Sequence, residues 1–158
     1  MESTQSRSVL QNHNCNLDTP ALTLTKVLIV DDDRDTTDLL KIILELNDFK
    51  VMVANTGELG IEIAHSLNPD VMVVDLLMPD MDGLKVCRDI RQFTSMPILI
   101  LSAVSRPNVA EEVLDSGADD FLVKPISSGV LIASLKRLAR RARAEYKAQQ
   151  ANDNLINS

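Results

Sequence analysis

KVLIVDDD, residues 26–33, is an apolar run that stops abruptly at three consecutive carboxylates. Its four apolar positions, Val27–Val30, show no polar alternation, and that is how a strand reads when both of its faces are covered. Similar short runs follow at Val51–Val53, Val71–Val74, Ile98–Leu101 and Phe121–Val123. The segments between them carry helical periodicity. Leu39, Ile42, Ile43 and Leu46 form one stripe, and Leu59, Ile63, Ala64 and Leu67 a second. Leu84, Cys87 and Ile90 mark a third, Val109, Val113 and Leu114 a fourth, and Leu131, Leu135, Leu138, Ala139 and Ala142 the last. Each stripe predicts a helix laid on a sheet. Breaks fall at Asn68-Pro69, Met96-Pro97 and Gly117, between the periodic segments. The chain is thus a fivefold β-strand–helix repeat, whose short connections demand right-handed crossovers onto a parallel sheet.

At 158 residues the chain has the length of one domain with extensions. The reading assigns 1–25 to a polar N-terminal tail, 26–142 to the domain, and 143–158 to a helical extension that frays from about residue 152. There is no apolar run of the ~18–20 residues that a membrane helix needs, and residues 1–25 lack the apolar centre of a signal peptide. With two cysteines, one in the tail and one (Cys87) in an apolar pattern, a free-thiol cytoplasmic protein is expected.

The formal charge is −7, and it is unevenly placed. From Lys136 to Lys147 six basic residues stand against Glu145 alone, so this stretch carries +5 and the remainder −12. Such an acidic body disfavours nucleic acid, and 3% aromatics leave little for base stacking. No membrane contact and no direct DNA binding are expected. The basic stretch itself reads as a solvated helix face.

Ligands of open parallel sheets bind where strand order reverses, at the carboxyl ends of the strands. The first run ends in Asp31-Asp32-Asp33, the third in Asp75, the fourth in Ser102, and the fifth in Lys124-Pro125. Only the second ends without such a group, at Ala54-Asn55. With strand order 2-1-3-4-5, Asp31, Asp32 and Asp75 converge on one pocket flanked by Ser102 and Lys124. Three carboxylates together raise one another's pKa, and a hard divalent cation with oxygen ligands relieves the conflict. One or two carboxylates plus waters and a phosphate describe Mg2+ (or Mn2+) better than a Ca2+ cage. A cation and a lysine in a carboxylate pocket suit an incoming phosphoryl group, with a carboxylate as nucleophile.

The stretches KVLIVDDD (26–33), VDLLMPDMDG (74–83), LSA (101–103) and GADDFLVKP (117–125), in this order and spacing, resemble the receiver domain of two-component response regulators. The resemblance covers about residues 26–142. It implies a flavodoxin-like α/β three-layer sandwich, (βα)5, with a five-stranded parallel sheet of order 2-1-3-4-5. It also implies that Asp75 accepts a phosphoryl group from a sensor histidine kinase or phosphotransfer protein. Asp32 is then the direct metal ligand, Asp31 acts mainly through water, and the Leu77 carbonyl completes the protein's share of the metal shell. Ser102 stands at the switch hydroxyl, Phe121 at the switch aromatic, and Lys124 at the phosphate-pairing lysine. The Lys124-Pro125 peptide is expected to be cis, a geometry that proline makes accessible. Phosphorylation would move Ser102 and Phe121 and so bias the face of the fourth helix, fifth strand and fifth helix toward a downstream protein target.

ADDF (118–121) and the basic ending look most like receivers that precede winged-helix DNA-binding domains. That subgroup's symmetric dimer uses charged residues where Ala110, Val130 and Ser134 stand here. Asp119 and Asp120 remain without their expected partners, so a homodimer through that face is open, and a stand-alone module acting through protein contacts is favoured.

Two other functions compete. Asp33-x-Asp35-x-Thr37 spells the nucleophile motif of haloacid-dehalogenase-like phosphatases, though it starts too late after the strand and leaves Asp75 and Lys124 unexplained. A receiver-like chain could also be a constitutive docking module. Asp33 suits a helix cap better than a metal role. Asp31, Asp33 and Asp35 lack the Gly and closing Glu of a calcium loop. His13 and His65 have no ligand partners at the required spacing. Met52 and Met72 read as core, and Met78 as lining the pocket mouth. Leu77 and Val104, both apolar, would flank the path of water to a phosphorylated Asp75 and slow its attack.

Overall fold

The structure, a computed structural model, describes residues 23–156. The expectation of a loose tail over 1–25 therefore falls almost wholly outside the described residues. Five strands alternate with five helices: β1 (Thr25–Val30), α1 (Arg34–Glu45), β2 (Phe49–Ala54), α2 (Gly57–Leu67), β3 (Val71–Asp75), α3 (Gly83–Ile90), β4 (Ile98–Ser102), α4 (Val109–Asp115), β5 (Asp120–Val123) and α5 (Ser128–Ile156). All strands pair in parallel, in the order β2-β1-β3-β4-β5.

Alternate residues of the three central strands feed two separate cores, which is why their sequences show no polar alternation. Leu28, Val30, Met72, Val74, Ile98 and Ile100 pack under α2, α3 and α4. Val27, Ile29, Val71, Val73, Leu99 and Leu101 pack under α1 and α5. The result is a three-layer sandwich. Among the described residues no helix is long and apolar enough to cross a membrane.

Three helical stripes differ from the sequence reading. In α1, Leu39, Ile42 and Leu46 point outward, with 58%, 57% and 80% of their surface exposed. The inner face is Thr37, Leu40 and Leu44, flanked by half-buried Ile43. LLKIILEL places apolar residues on two adjoining faces, so its period is clear but its phase is not. The phase is set by Asp33, whose carboxylate caps the Asp35 and Thr36 N–H groups. Thr37 tolerates burial because its hydroxyl donates to the Arg34 carbonyl at 2.9 Å.

In α2 the buried residues are Gly57, Gly60 and Ala64, while Leu59 and Leu67 are exposed. Small side chains let this helix lie close on the sheet: a Cβ on Gly60 would stand 2.7 Å from a Val30 methyl. Leu114 of α4 is exposed too, leaving Val109 and Val113 as that helix's buried contacts. Met78 is buried in the core beneath α2–α4 and does not line the pocket mouth, whereas Met72 is core as expected. α5 runs unbroken to Ile156, so the helix includes residues 152–156, where fraying was expected to begin; no Gly or Pro interrupts 130–156.

Candidate functional site

The register of the sheet builds the site. Val30 pairs with Val74 across β1 and β3, so Asp31 and Asp75 emerge side by side, each one residue beyond that pair. Asp75 pairs with Leu101 and Ser102 with Val123, which brings Lys124 to the same end of the sheet. Backbone hydrogen bonds extend the ladder beyond the strands: Asp31 N–H to the Ala54 carbonyl at 3.1 Å, Leu76 to Leu101 at 2.8 Å, and Lys124 to Ser102 at 2.8 Å. The residues that carry the polar groups are thus tied to the neighbouring strands by the same backbone bonds that pair the sheet.

Carboxylate oxygens of Asp31, Asp32 and Asp75 lie within 4.8 Å of one another. Asp31 and Asp75 are buried, at 3% and 9% exposure, and Asp32 faces solvent at the rim. The Lys124 ammonium reaches Asp75 Oδ1 at 2.9 Å and Asp31 Oδ2 at 3.3 Å. Burial pushes the Asp31 carboxyl above the usual carboxylate range, against the Asp33 N–H donated to it and the charge of Lys124; the Asp75 carboxylate adds to the rise. Burial pulls the Lys124 ammonium down, but the hydrogen bond to Asp75 and the Asp31 and Asp75 charges outweigh it and hold Lys124 above the usual lysine value.

The Ser102 hydroxyl oxygen, fully buried, accepts the Val104 N–H at 2.9 Å, which leaves its proton free to donate. Phe121 is half-buried at the edge of the core beneath α2–α4. Lys124-Pro125 is cis. Leu77 lies on the loop after Asp75 with its side chain 59% exposed, and Val104 is half-buried.

The β3–α3 loop is pinned from two sides. Asp80 Oδ2 accepts the Gly57 N–H at 2.8 Å, at the start of α2. Gly83 donates its N–H to the Leu76 carbonyl at 3.0 Å. The second strand also contributes more than expected. The Asn55 amide donates to the Asp31 carbonyl at 3.0 Å and lies 3.4 Å from the Thr37 hydroxyl, so Asn55 braces the acidic turn. Its position after β2, beside the acidic turn, was the available signal.

Asp33, Asp35 and Thr37 are not assembled as a phosphatase nucleophile motif. The Asp33 carboxylate is occupied as a cap, its pKa lowered by the Thr36 hydroxyl and the N–H groups of Thr36 and Asp35, and it stands outside the cluster. Asp119 and Asp120 do have partners, within the chain. Arg91, which caps the C-terminus of α3, and Arg141 of α5 bind Asp119, and Arg137 binds Asp120. Arg91 also donates to the carbonyls of Gly117 and Met96, tying the entries of β4 and β5 together; periodicity carries no sign of that role.

The family model for the response regulator receiver domain matches residues 27–136. The response regulator MprA of Mycobacterium avium (strain 104) is 40% identical over 127 residues, which cover 78% of this chain and 55% of that protein. That of Mycobacterium ulcerans (strain Agy99) is 42% identical over 123 residues, covering 76% and 52%. The chain thus spans about half the length of these curated relatives. Among solved structures, the receiver domain of Francisella response regulator 1452 superposes with a TM-score of 0.71 at 36% identity, covering 74% of this chain and 98% of that one. A CheY-like receiver domain from Methanospirillum hungatei JF-1 gives 0.73 at 25%, covering 78% and 99%. With a family model matched over residues 27–136, relatives 40–42% identical and the strand order of these solved receivers, the chain belongs to the response regulator receiver domains of two-component systems.

Proposed function

We propose that the protein is a phosphorylation-switched signalling module whose acceptor is Asp75, served by a histidine kinase or phosphotransfer protein. The observation that carries this is the shared bonding of Lys124 to Asp75 and Asp31 inside a three-carboxylate cluster at the switch point of the sheet. An Asp75 oxygen forms a bond to phosphorus as the phosphorus–nitrogen bond of a phosphohistidine breaks, and the electron pair returns to the imidazole nitrogen. Lys124, already on Asp75 Oδ1, pairs with a phosphoryl oxygen, and the free Ser102 proton is donated to another.

The donor set, oxygen atoms only and partly solvated, fits a hard divalent cation such as Mg2+ or Mn2+. Asp32 and Asp75, with the Leu77 carbonyl, would hold it, and Asp31 would act through water. When bound, it offsets the charge of the phosphoryl oxygens. Turnover of a separate substrate is not part of this reading. The output is a changed face formed by α4, β5 and α5, for a downstream protein or a second copy of the chain. There Arg137 and Arg141 already engage Asp120 and Asp119, so dimerisation through these carboxylates would have to exchange those pairs.

Incubation with acetyl phosphate and Mg2+ is expected to add one phosphoryl group by intact mass, with none added to Asp75→Asn or in EDTA. No gain in the parent protein, or an undiminished gain in the variant, overturns the assignment. The lifetime of the phosphoryl group is a further expectation. Leu77 and Val104 present apolar surface beside the acceptor, so Leu77→Asn, which can orient a water, should lose phosphate several-fold faster than the parent protein. A rate equal to the parent's would remove Leu77 from the account.

A further inference from the structure

Helix α5 sorts its basic residues by face. Arg137 and Arg141 turn toward β5, where Asp120 and Asp119 match them. Lys136, Arg140, Arg143 and Lys147, at helical intervals of four, three and four, turn the other way and line a cleft of about 660 Å3. Its opposite wall is the Asn47–Phe49 turn and the entry of β1, at the end of the sheet away from Asp75. Arg143 reaches Thr25 and, at 3.4 Å, Asp70. Lys136 lies 5.9 Å above the Phe49 ring. Arg140 and Lys147 have no ion-pair partner among the described residues, and Asp48 is the sole carboxylate lining the cleft there.

A purely solvated helix face would have no reason to leave Arg140 and Lys147 unmatched beside Arg143, whose ion pair to Asp70 is long, nor to close a cleft with them. The wall also carries apolar surface: Leu24 is half-exposed, and Ala144 is open to solvent. We propose that this cleft is a docking site for an acidic amphipathic helix of a partner protein. Its glutamates would meet Arg140, Arg143 and Lys147, and its apolar side chains would meet Leu24 and Ala144.

The four cations span about 16 Å along α5, and a helix laid beside it offers carboxylates in the same i, i+4 rhythm. A small lone anion uses only one end of that span. A nucleic acid would overrun the cleft onto a body that carries −12 outside the basic stretch, and Phe49, being buried, offers no stacking face. A short acidic segment escapes that repulsion, because exposed charges more than ~10 Å away are largely screened at 0.1 M salt.

The test is fluorescence anisotropy of the full chain with a labelled helical peptide of alternating glutamate and leucine turns, beside a lysine-for-glutamate version and a single-stranded DNA oligonucleotide. Binding of the acidic peptide should weaken with salt. It should fall by about tenfold or more in the Arg140→Glu/Lys147→Glu variant and stay near the parent value in Lys85→Glu, an exposed lysine on α3. These positions are exposed, and circular dichroism of each variant checks that it folds. Absence of acidic-peptide binding, an equal loss in Lys85→Glu, retention in the double variant, or tighter binding of either control ligand overturns the proposal.

Discussion

Gly83→Ala is expected to destabilise the domain by about 3 kcal/mol, the upper end of what overpacking costs, and to slow phosphorylation of Asp75 at the same time. Gly83 opens α3 just after the cap at Asp82, whose carboxylate accepts the Leu84 N–H at 2.8 Å. A Cβ there would lie 2.4 Å from the Asp75 carbonyl oxygen and 3.0 Å from Leu76 Cα. Both are backbone atoms, so no rotamer relieves the clash. Either α3 lifts from the sheet, opening the core around Val86, Cys87 and Ile90, or the backbone of the acceptor residue moves. Gly129 supplies the control, since a Cβ there meets nothing within 4 Å. Gly129→Ala, in the first turn of α5, should gain about 0.5–1 kcal/mol. Urea unfolding of both variants, with phosphorylation followed by intact mass, separates the two sites. A Gly83→Ala protein as stable as the parent would mean that α3 does not approach β3 this closely.

That approach also shows what a sequence does and does not disclose. The strands were legible because burial on both faces leaves an unbroken apolar run, and Asp31, Asp75, Ser102 and Lys124 because each follows such a run directly. Position along the chain translated into position in the site because the parallel register keeps the strand ends within two rungs of one another. Helix phase was less legible. In α1 adjoining Leu and Ile residues fill two faces, and the choice between them rests on the Asp33 cap and on Thr37, a polar residue made buriable by its own backbone hydrogen bond. In α2 the contact is made by glycines, whose contribution is the absence of a side chain; a reading that ranks residues by hydrophobicity passes over them. Asn55 and Arg91 act through backbone carbonyls 24 and 26 residues away; the position of Asn55 after β2 was its one signal, and nothing in the local pattern of Arg91 announces its partner. The basic stretch of α5 could be counted from the sequence, but which of its cations find partners depends on where Asp119, Asp120 and Asp70 sit in the fold.

The cation at the centre of the site has the other large expected effect. In EDTA at neutral pH, Lys124→Met should cost about 2–3 kcal/mol of stability, below the 3–5 kcal/mol typical of breaking a fully buried pair because Lys124 is partly exposed. Methionine retains much of the packing, so the loss reports mainly the carboxylates of Asp31 and Asp75, left facing each other without a counter-charge. The pH dependence follows from the two shifts. Asp31 is raised above the ordinary carboxylate value of 3.8, so between that value and its folded pKa the native state holds more protons than the unfolded chain, and stability rises as pH falls through the window. Removing Lys124 takes away an interaction that lowers Asp31, which moves the upper edge of the window higher and lets acid relieve more of the variant's deficit. Lys124 is raised above 10.5, so its contribution is complete below 10.5 and disappears as pH climbs through the folded value. The difference between parent and variant should therefore be a plateau across neutral pH that narrows toward both ends. Mg2+ added in place of EDTA should stabilise the variant more than the parent, since a divalent cation then supplies the charge that Lys124 no longer does. Urea titrations at several pH values, with and without Mg2+, measure all of this. A difference that stays flat with pH, or a cation effect equal in the two proteins, would mean that Lys124 holds the strand ends by packing and not by its charge.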